Sequence, residues 1–209
     1  MRQIIVFLAT VFLTVSSSFA QMKKLENVSL FLKQMERNVS LIKSVESDFK
    51  QIKHIEDFNQ DITSSGKFFY IPSDKIRLNY SKPLPYLVVI NGDKIKIESN
   101  GKKNVMNLKD SKQMQEMQNM LKICLSDNFS NIPSDYTTEF YEDELFYLTI
   151  IKPVDESVRK YITQLDIYLN KKDMRVDKLR ISETMGDYTD YFFTNMKYNT
   201  LNNNSLFKI

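Results

Sequence analysis

Two Asn-Gly pairs, Asn91-Gly92 and Asn100-Gly101, stand nine positions apart with Ile95 and Ile97 alternating between them. Asn-Gly readily takes the positive φ values that a two-residue hairpin demands, so this stretch predicts an antiparallel meander. The alternation continues upstream in Phe68 and Tyr70, in Ile76, Leu78 and Tyr80, and in Leu87 and Val89. Turn chemistry separates these runs at Ser64-Ser65-Gly66, Pro72-Ser73-Asp74 and Pro83-Leu84-Pro85. Lys75, Arg77, Asn79, Lys94, Lys96 and Glu98 occupy the opposite parity. One face of the sheet is therefore wet and the other covered.

Two segments carry a helical period instead. Residues 23–50 are predicted as one long helix on the steps Leu25, Val28, Leu32, Met35, Val39, Ile42, Val45 and Phe49. Residues 110–126 form a second, capped by Asp110 or Ser111, with Met114, Met117, Met120, Leu121 and Leu125 on its apolar face. Strands resume around Thr137–Tyr141, Leu145–Lys152, Tyr161–Leu169, Met174–Glu183, Asp187–Tyr198 and Ser205–Ile209. The order lacks βαβ alternation. It predicts a mainly β protein with helices (α+β), in which an antiparallel sheet is covered by two amphipathic helices.

The start of the chain sets the compartment. Met1-Arg2, the apolar run Ile4–Val15, and small residues at Ser18 and Ala20 read as a cleaved signal peptide over 1–20. That leaves one domain over 21–209, soluble and exported to the periplasm. The 29 basic and 26 acidic residues give a net charge of +3 with no basic block, so nucleic acid is not an expected partner. Cys124 is the sole cysteine, which forbids an internal disulfide. His54, the only histidine, reads as a surface residue, and no Gly-x-Ser-x-Gly elbow accompanies it. Glu142-Asp143-Glu144 sits where a hairpin turn falls, and solvated turn charges explain it better than a carboxylate pair or a Ca²⁺ loop. No metal or cofactor site emerges, and no enzymatic activity is expected.

Several segments together resemble a family. Phe49-Lys50-Gln51, Ser65-Gly66-Lys67-Phe68, Pro72 through Tyr80, Ser81-Lys82-Pro83 and Val88 through Ile95 follow, in order and spacing, the pattern of LolA-type lipoprotein carriers. Leu165–Leu169, Leu179–Ile181, Gly186, Thr189, Phe192–Asn195 and Phe207 are similar to that family's closing strands. Ile71 stands where the best-known branch has a latching Arg, and Lys96 where it has a Trp.

The resemblance implies a strongly curved antiparallel half-barrel, an incomplete β-barrel, with helices over an apolar cavity. It also implies a cargo of acylated lipoproteins, received from an inner-membrane ABC-type release complex and passed to an outer-membrane acceptor by a monomeric carrier. A lipid-binding sensor, or a carrier of another lipid, is the alternative for the same half-barrel. Strand parity places Phe68, Tyr70, Ile76, Leu78, Val89, Ile95, Ile97, Leu148, Ile150, Ile167 and Leu169 on the cavity face. Met114, Met117, Met120 and Leu121 are the expected lid, since flexible methionines repack cheaply against sheet or acyl chain.

Overall fold

The computed structural model describes residues 22–72, 74–110, 112, 115, 118–119, 123, 132 and 134–209. Its chain runs β1 (Lys23–Lys24), α1 (Val28–Val39), β2 (Val45–Ile55), β3 (Gln60–Ile71), β4 (Lys75–Lys82), β5 (Tyr86–Asn91), β6 (Lys94–Ser99) and β7 (Lys102–Asn107). It continues with β8 (Tyr136–Glu142), β9 (Phe146–Pro153), the short α2 (Glu156–Arg159), β10 (Ile162–Asn170), β11 (Val176–Glu183) and β12 (Tyr188–Tyr198). All twelve strands join one open sheet in the order β1-β8-β9-β10-β11-β12-β2-β3-β4-β5-β6-β7. Every pairing is antiparallel. The result is a mainly β half-barrel with few helices, as the sequence predicts.

The turns account for the meander. Asn100 and Gly101 both take positive φ, 51° and 73°. At the other pair, Asn91 faces Lys94, so the turn is Gly92-Asp93 and only Gly92 is left-handed, at φ 58°. Asn91 remains in the strand, and its amide donates to the Phe207 carbonyl at 3.0 Å. The turn at Asp143 is built by its carboxylate, which accepts from the backbone N–H groups of Leu145 and Phe146 at 2.7 Å each.

The helix predicted over 23–50 is much shorter. Asn27 caps α1 by accepting from the Leu30 N–H at 3.0 Å, and the helix ends at Val39. Val45 and Phe49 belong to β2 instead. A spacing of four is shared by a helical turn and by alternate strand positions, so those two residues fit either period. Ser47 between them settles the matter physically, because it is buried on the same face, at 1% exposure.

The other helix and the last strand also differ. Lys112, Gln115, Gln118, Asn119 and Ile123 are helical, within the predicted 110–126, while Met114, Met117, Met120 and Leu121 lie outside the described residues. The strand expected at Ser205–Ile209 is a 3₁₀ turn over Asn204–Phe207. Its carbonyls find side-chain donors rather than a ladder: Arg77 to Leu206 at 2.6 Å, Asn91 to Phe207, and Lys96 to Lys208 at 2.5 Å.

The apolar core lies on the concave face. One part gathers Phe31, Met35, Ile151, Leu165, Ile167 and Leu169, and a second gathers Val45, Phe49, Phe68, Tyr70, Ile76, Ile90 and Ile95. Tyr191 and Phe193 of β12 pack against both. Helix α1 roofs the first part, with the Phe31 ring 5.6 Å from Phe140 and 4.9 Å from Tyr147. Burying Phe31 and Met35 contributes about 1.5–3 kcal/mol each, which fixes α1 to the sheet. On the convex face the C-terminal turn covers Phe69 and Val89 with Phe207.

Candidate functional site

Two cavities lie along the concave face. The first, about 70 Å³, is bounded by Met35, Val39 and Ile42 on the helical side and by Val45, Phe68, Tyr70, Leu169, Leu179 and Phe193 on the sheet. Met174, Val176, Met196 and Tyr198 complete it. The second, about 170 Å³, is lined by Phe68, Ile76, Leu78, Tyr80, Val88, Ile90, Ile95, Ile97, Leu179, Ile181, Tyr191 and Phe193. Phe68, Leu179 and Phe193 border both. Each volume is below the roughly 300 Å³ at which small-molecule pockets begin. A long ligand therefore needs that shared wall to repack.

Seven of the expected cavity residues line these spaces: Phe68, Tyr70, Ile76, Leu78, Ile95, Ile97 and Leu169. Ile167 shares their face but is sealed in the core at 0% exposure. Val89, Leu148 and Ile150 are on the other face. Val89 stands opposite Arg77 and Lys96, and packs with Phe207. Leu148 stands opposite Tyr168, and Ile150 opposite Asp166. In β5 and β9 nearly every residue is apolar, so alternation carries no phase there. In β9 the inward set is Tyr147, Thr149 and Ile151, with a hydroxyl in its middle. Thr149 is 0% exposed, and its Oγ1 has no hydrogen-bond partner among the described residues.

The missed residue Ile90 was within reach. A two-residue turn at Gly92-Asp93 pairs Ile90 with Ile95, which puts both on one face and turns Val89 outward. Leu179, Tyr191 and Phe193 had no such anchor.

Polar groups collect at one end of the concave face. The Tyr80 hydroxyl donates to Gln51 Oε1 at 2.7 Å, and its ring stacks on Tyr86 at 3.9 Å between centroids and 10° between planes. Tyr191 lines the second cavity together with Tyr80. Burial pushes the Tyr80 phenol well above its ordinary range, and Tyr86 and Tyr191 also rise through burial. All three stay protonated donors. Beyond them Lys53 pairs with Glu183 at 3.3 Å.

On the convex face two buried carboxylates show which effect wins. Burial pushes Asp190 up, but the Arg180 fork at 2.6 and 2.7 Å and Lys178 outweigh it, and the group ends below its usual range. Asp166 has Gln164 at 2.6 Å and no such fork, so burial prevails and it ends above.

His54 is no free surface histidine. Its Nδ1 lies 2.8 Å from Asp61 Oδ1 and its Nε2 lies 3.0 Å from Glu56 Oε2, while the ring stacks on Tyr188 at 4.9 Å. The Asp61 hydrogen bond raises its pKa against desolvation, with Glu56 adding to the rise. A raised folded pKa gives stability that is complete below the unfolded value, about 6.5, and is lost as pH rises through the folded value. Wild-type protein is thus expected to lose its advantage over His54→Gln as pH climbs above about 6.5. Melting temperatures of both across that range check it, and parallel curves refute it.

An open antiparallel sheet, apolar along its concave face and roofed by helix, defines a hydrophobic-cavity protein of the half-barrel class. The chain belongs to the outer membrane lipoprotein carrier protein LolA family, whose model matches residues 40–209. Among solved structures it is similar to an uncharacterized conserved protein from Thermus thermophilus, at 9% identity and TM-score 0.51, over 87% of this chain and 93% of that one. It is also similar to a LolA superfamily protein from Nitrosomonas europaea, at 11% identity and TM-score 0.46, over 85% and 97%. A third is the Mycobacterium tuberculosis lipoprotein LppX, at 8% identity and TM-score 0.44, over 86% and 99%. Among curated proteins, none matches the sequence.

Proposed function

We propose that this protein is a periplasmic carrier that holds the acyl chains of lipoproteins against its concave face and ferries them from the inner to the outer membrane. No bond is made or broken. The observation that carries this reading is the pair of apolar cavities that share Phe68, Leu179 and Phe193 as lining, in a chain of the LolA family. Residues 1–20 serve as a cleaved signal peptide and 21–209 as a single carrier domain, working as a monomer. An ABC-type release complex hands over the cargo and an outer-membrane acceptor receives it.

The small resting volumes suit a carrier. Each methylene moved out of water is worth about 0.8 kcal/mol, so a permanently open cavity would hold its cargo too tightly to deliver it. A cavity that refills with Phe68, Leu179 and Phe193 when empty offsets part of that gain and permits release.

Displacement of a fluorescent fatty acid by a diacylated peptide tests the reading. Wild-type protein binds and exchanges. Leu179→Trp, which fills the shared wall, weakens binding at least about tenfold, while overpacking costs only about 1–3 kcal/mol in a urea melt. Wild-type protein that takes up no acyl ligand refutes the proposal.

A further inference from the structure

The two cavities are walled by different kinds of side chain. Three methionines, Met35, Met174 and Met196, line the first, and none lines the second. Half of the second's twelve lining residues are β-branched, namely Ile76, Val88, Ile90, Ile95, Ile97 and Ile181, against four of thirteen in the first. We infer that the second cavity is a fixed slot for a straight, unbranched stretch of acyl chain, while the first reshapes itself around the rest of that chain. This inference rests on the acyl-carrier reading and adds the chain shape that the site selects.

Side chain and backbone agree on which cavity yields. A β-branched residue is restricted at χ1, whereas Met has three rotatable bonds and fills irregular gaps. Five of the six stiff residues come from β4, β5 and β6, which pair from Lys75 to Ser99 without a register break. The methionines stand on less regular backbone. Met35 belongs to α1, Met174 takes φ 57° in the turn between β10 and β11, and Met196 falls within the register break of β12 between Thr194 and Lys197. The Met196 sulfur accepts from the Tyr198 hydroxyl at 2.8 Å, and a thioether is a weak acceptor that lets go at little cost.

The empty volumes follow the same division. The methionine-lined cavity has closed to about 70 Å³, while the β-branched one stays open at about 170 Å³ because its walls cannot turn inward. A slot that cannot close upon itself cannot widen cheaply either, since forcing extra atoms into a packed wall drives side chains off their rotamers. A methyl branch lying in the second cavity therefore meets resistance that the same branch escapes in the first.

The test moves a single methyl branch along stearoyl lysophosphatidylcholine, from root to tip, and measures displacement of a fluorescent acyl probe below the micelle concentration. Wild type is expected to bind the unbranched chain and chains branched over one stretch alike. It rejects a branch over the other stretch by at least about tenfold, the lower end of what one misplaced methylene costs in a hydrophobic pocket. Ile97→Met, which exchanges a stiff side chain for a flexible one of similar volume, removes most of that rejection. Met196→Ile spreads the rejection to positions that wild type tolerates. Should either variant fold poorly, Ile181→Met and Met35→Leu take their places. Equal affinity for every branch position in wild type, or a rejection unmoved by both Ile97→Met and Ile181→Met, overturns the slot and leaves the carrier reading standing. Failure of the unbranched chain to displace the probe overturns the carrier reading, and the slot with it.

Discussion

Gly66→Ala is expected to cost at least about 3 kcal/mol, the upper end of ordinary overpacking, and to leave little folded protein at body temperature. A Cβ at this position would sit 1.9 Å from the Asn79 carbonyl oxygen, 2.8 Å from its carbon and 2.9 Å from Tyr80 Cα. All three are backbone atoms of β4, so no side chain can step aside. The two strands also change register here, with Ser65 facing Lys82 and Gly66 facing Tyr80. Separating them would break the bend that brings Tyr80 over Phe49. Urea unfolding of the purified variant gives the cost, and a loss under about 1 kcal/mol, below the usual cost of overpacking, would mean that β3 and β4 can part freely.

Phe207→Ala is expected to lower stability by about 3–5 kcal/mol, the range for deleting a buried phenylalanine ring. The ring is 0% exposed and packs with Phe69 and Val89 on the convex face. Its removal also frees the carbonyls that Arg77, Asn91 and Lys96 satisfy. Lys96 is itself buried to 8% exposure, so a loosened C-terminal turn leaves its ammonium under apolar cover without its acceptor. The comparison is Leu201→Ala, at the margin of the same cluster, which should cost clearly less. Equal losses from both would show that the ring is not what anchors the turn.

The meander was legible because its turns are written in residues with few alternatives, Asn91-Gly92, Asn100-Gly101 and Pro72 through Asp74. The covered face of β3, β4 and β6 followed from clean alternation, and there every expected cavity residue is on the concave side. Parity failed at Val89, Leu148 and Ile150, where runs of consecutive apolar residues hide which side is buried. Val45 and Phe49 were drawn into the helix because their spacing of four fits both periods. The C-terminal turn read as a strand since Leu206, Phe207 and Ile209 are apolar. Its backbone bonds instead go to side chains from β4, β5 and β6, a tertiary choice that local sequence does not encode. The wall of the second cavity joins Tyr80 of β4 to Tyr191 of β12, and only the pairing of β12 with β2 brings them together.

That pairing also has a kinetic side. Strands β2 to β7 follow one another as neighbours, as do β8 to β12, so each run can zip up from nearby partners. The seam between them cannot. It sets Val45 opposite Tyr198 and His54 opposite Tyr188, and it is fastened by the Asn199 side chain accepting from the Lys43 N–H, 156 positions away. Contacts of such long range form late, because the intervening chain must first lose its freedom. A chain emerging from its amino end thus exposes the outer edge of β2, eleven residues long, until β12 arrives. Open edges recruit foreign strands. The interval before the seam closes is when this protein is most exposed to misassembly, and assistance during folding would have its largest effect there.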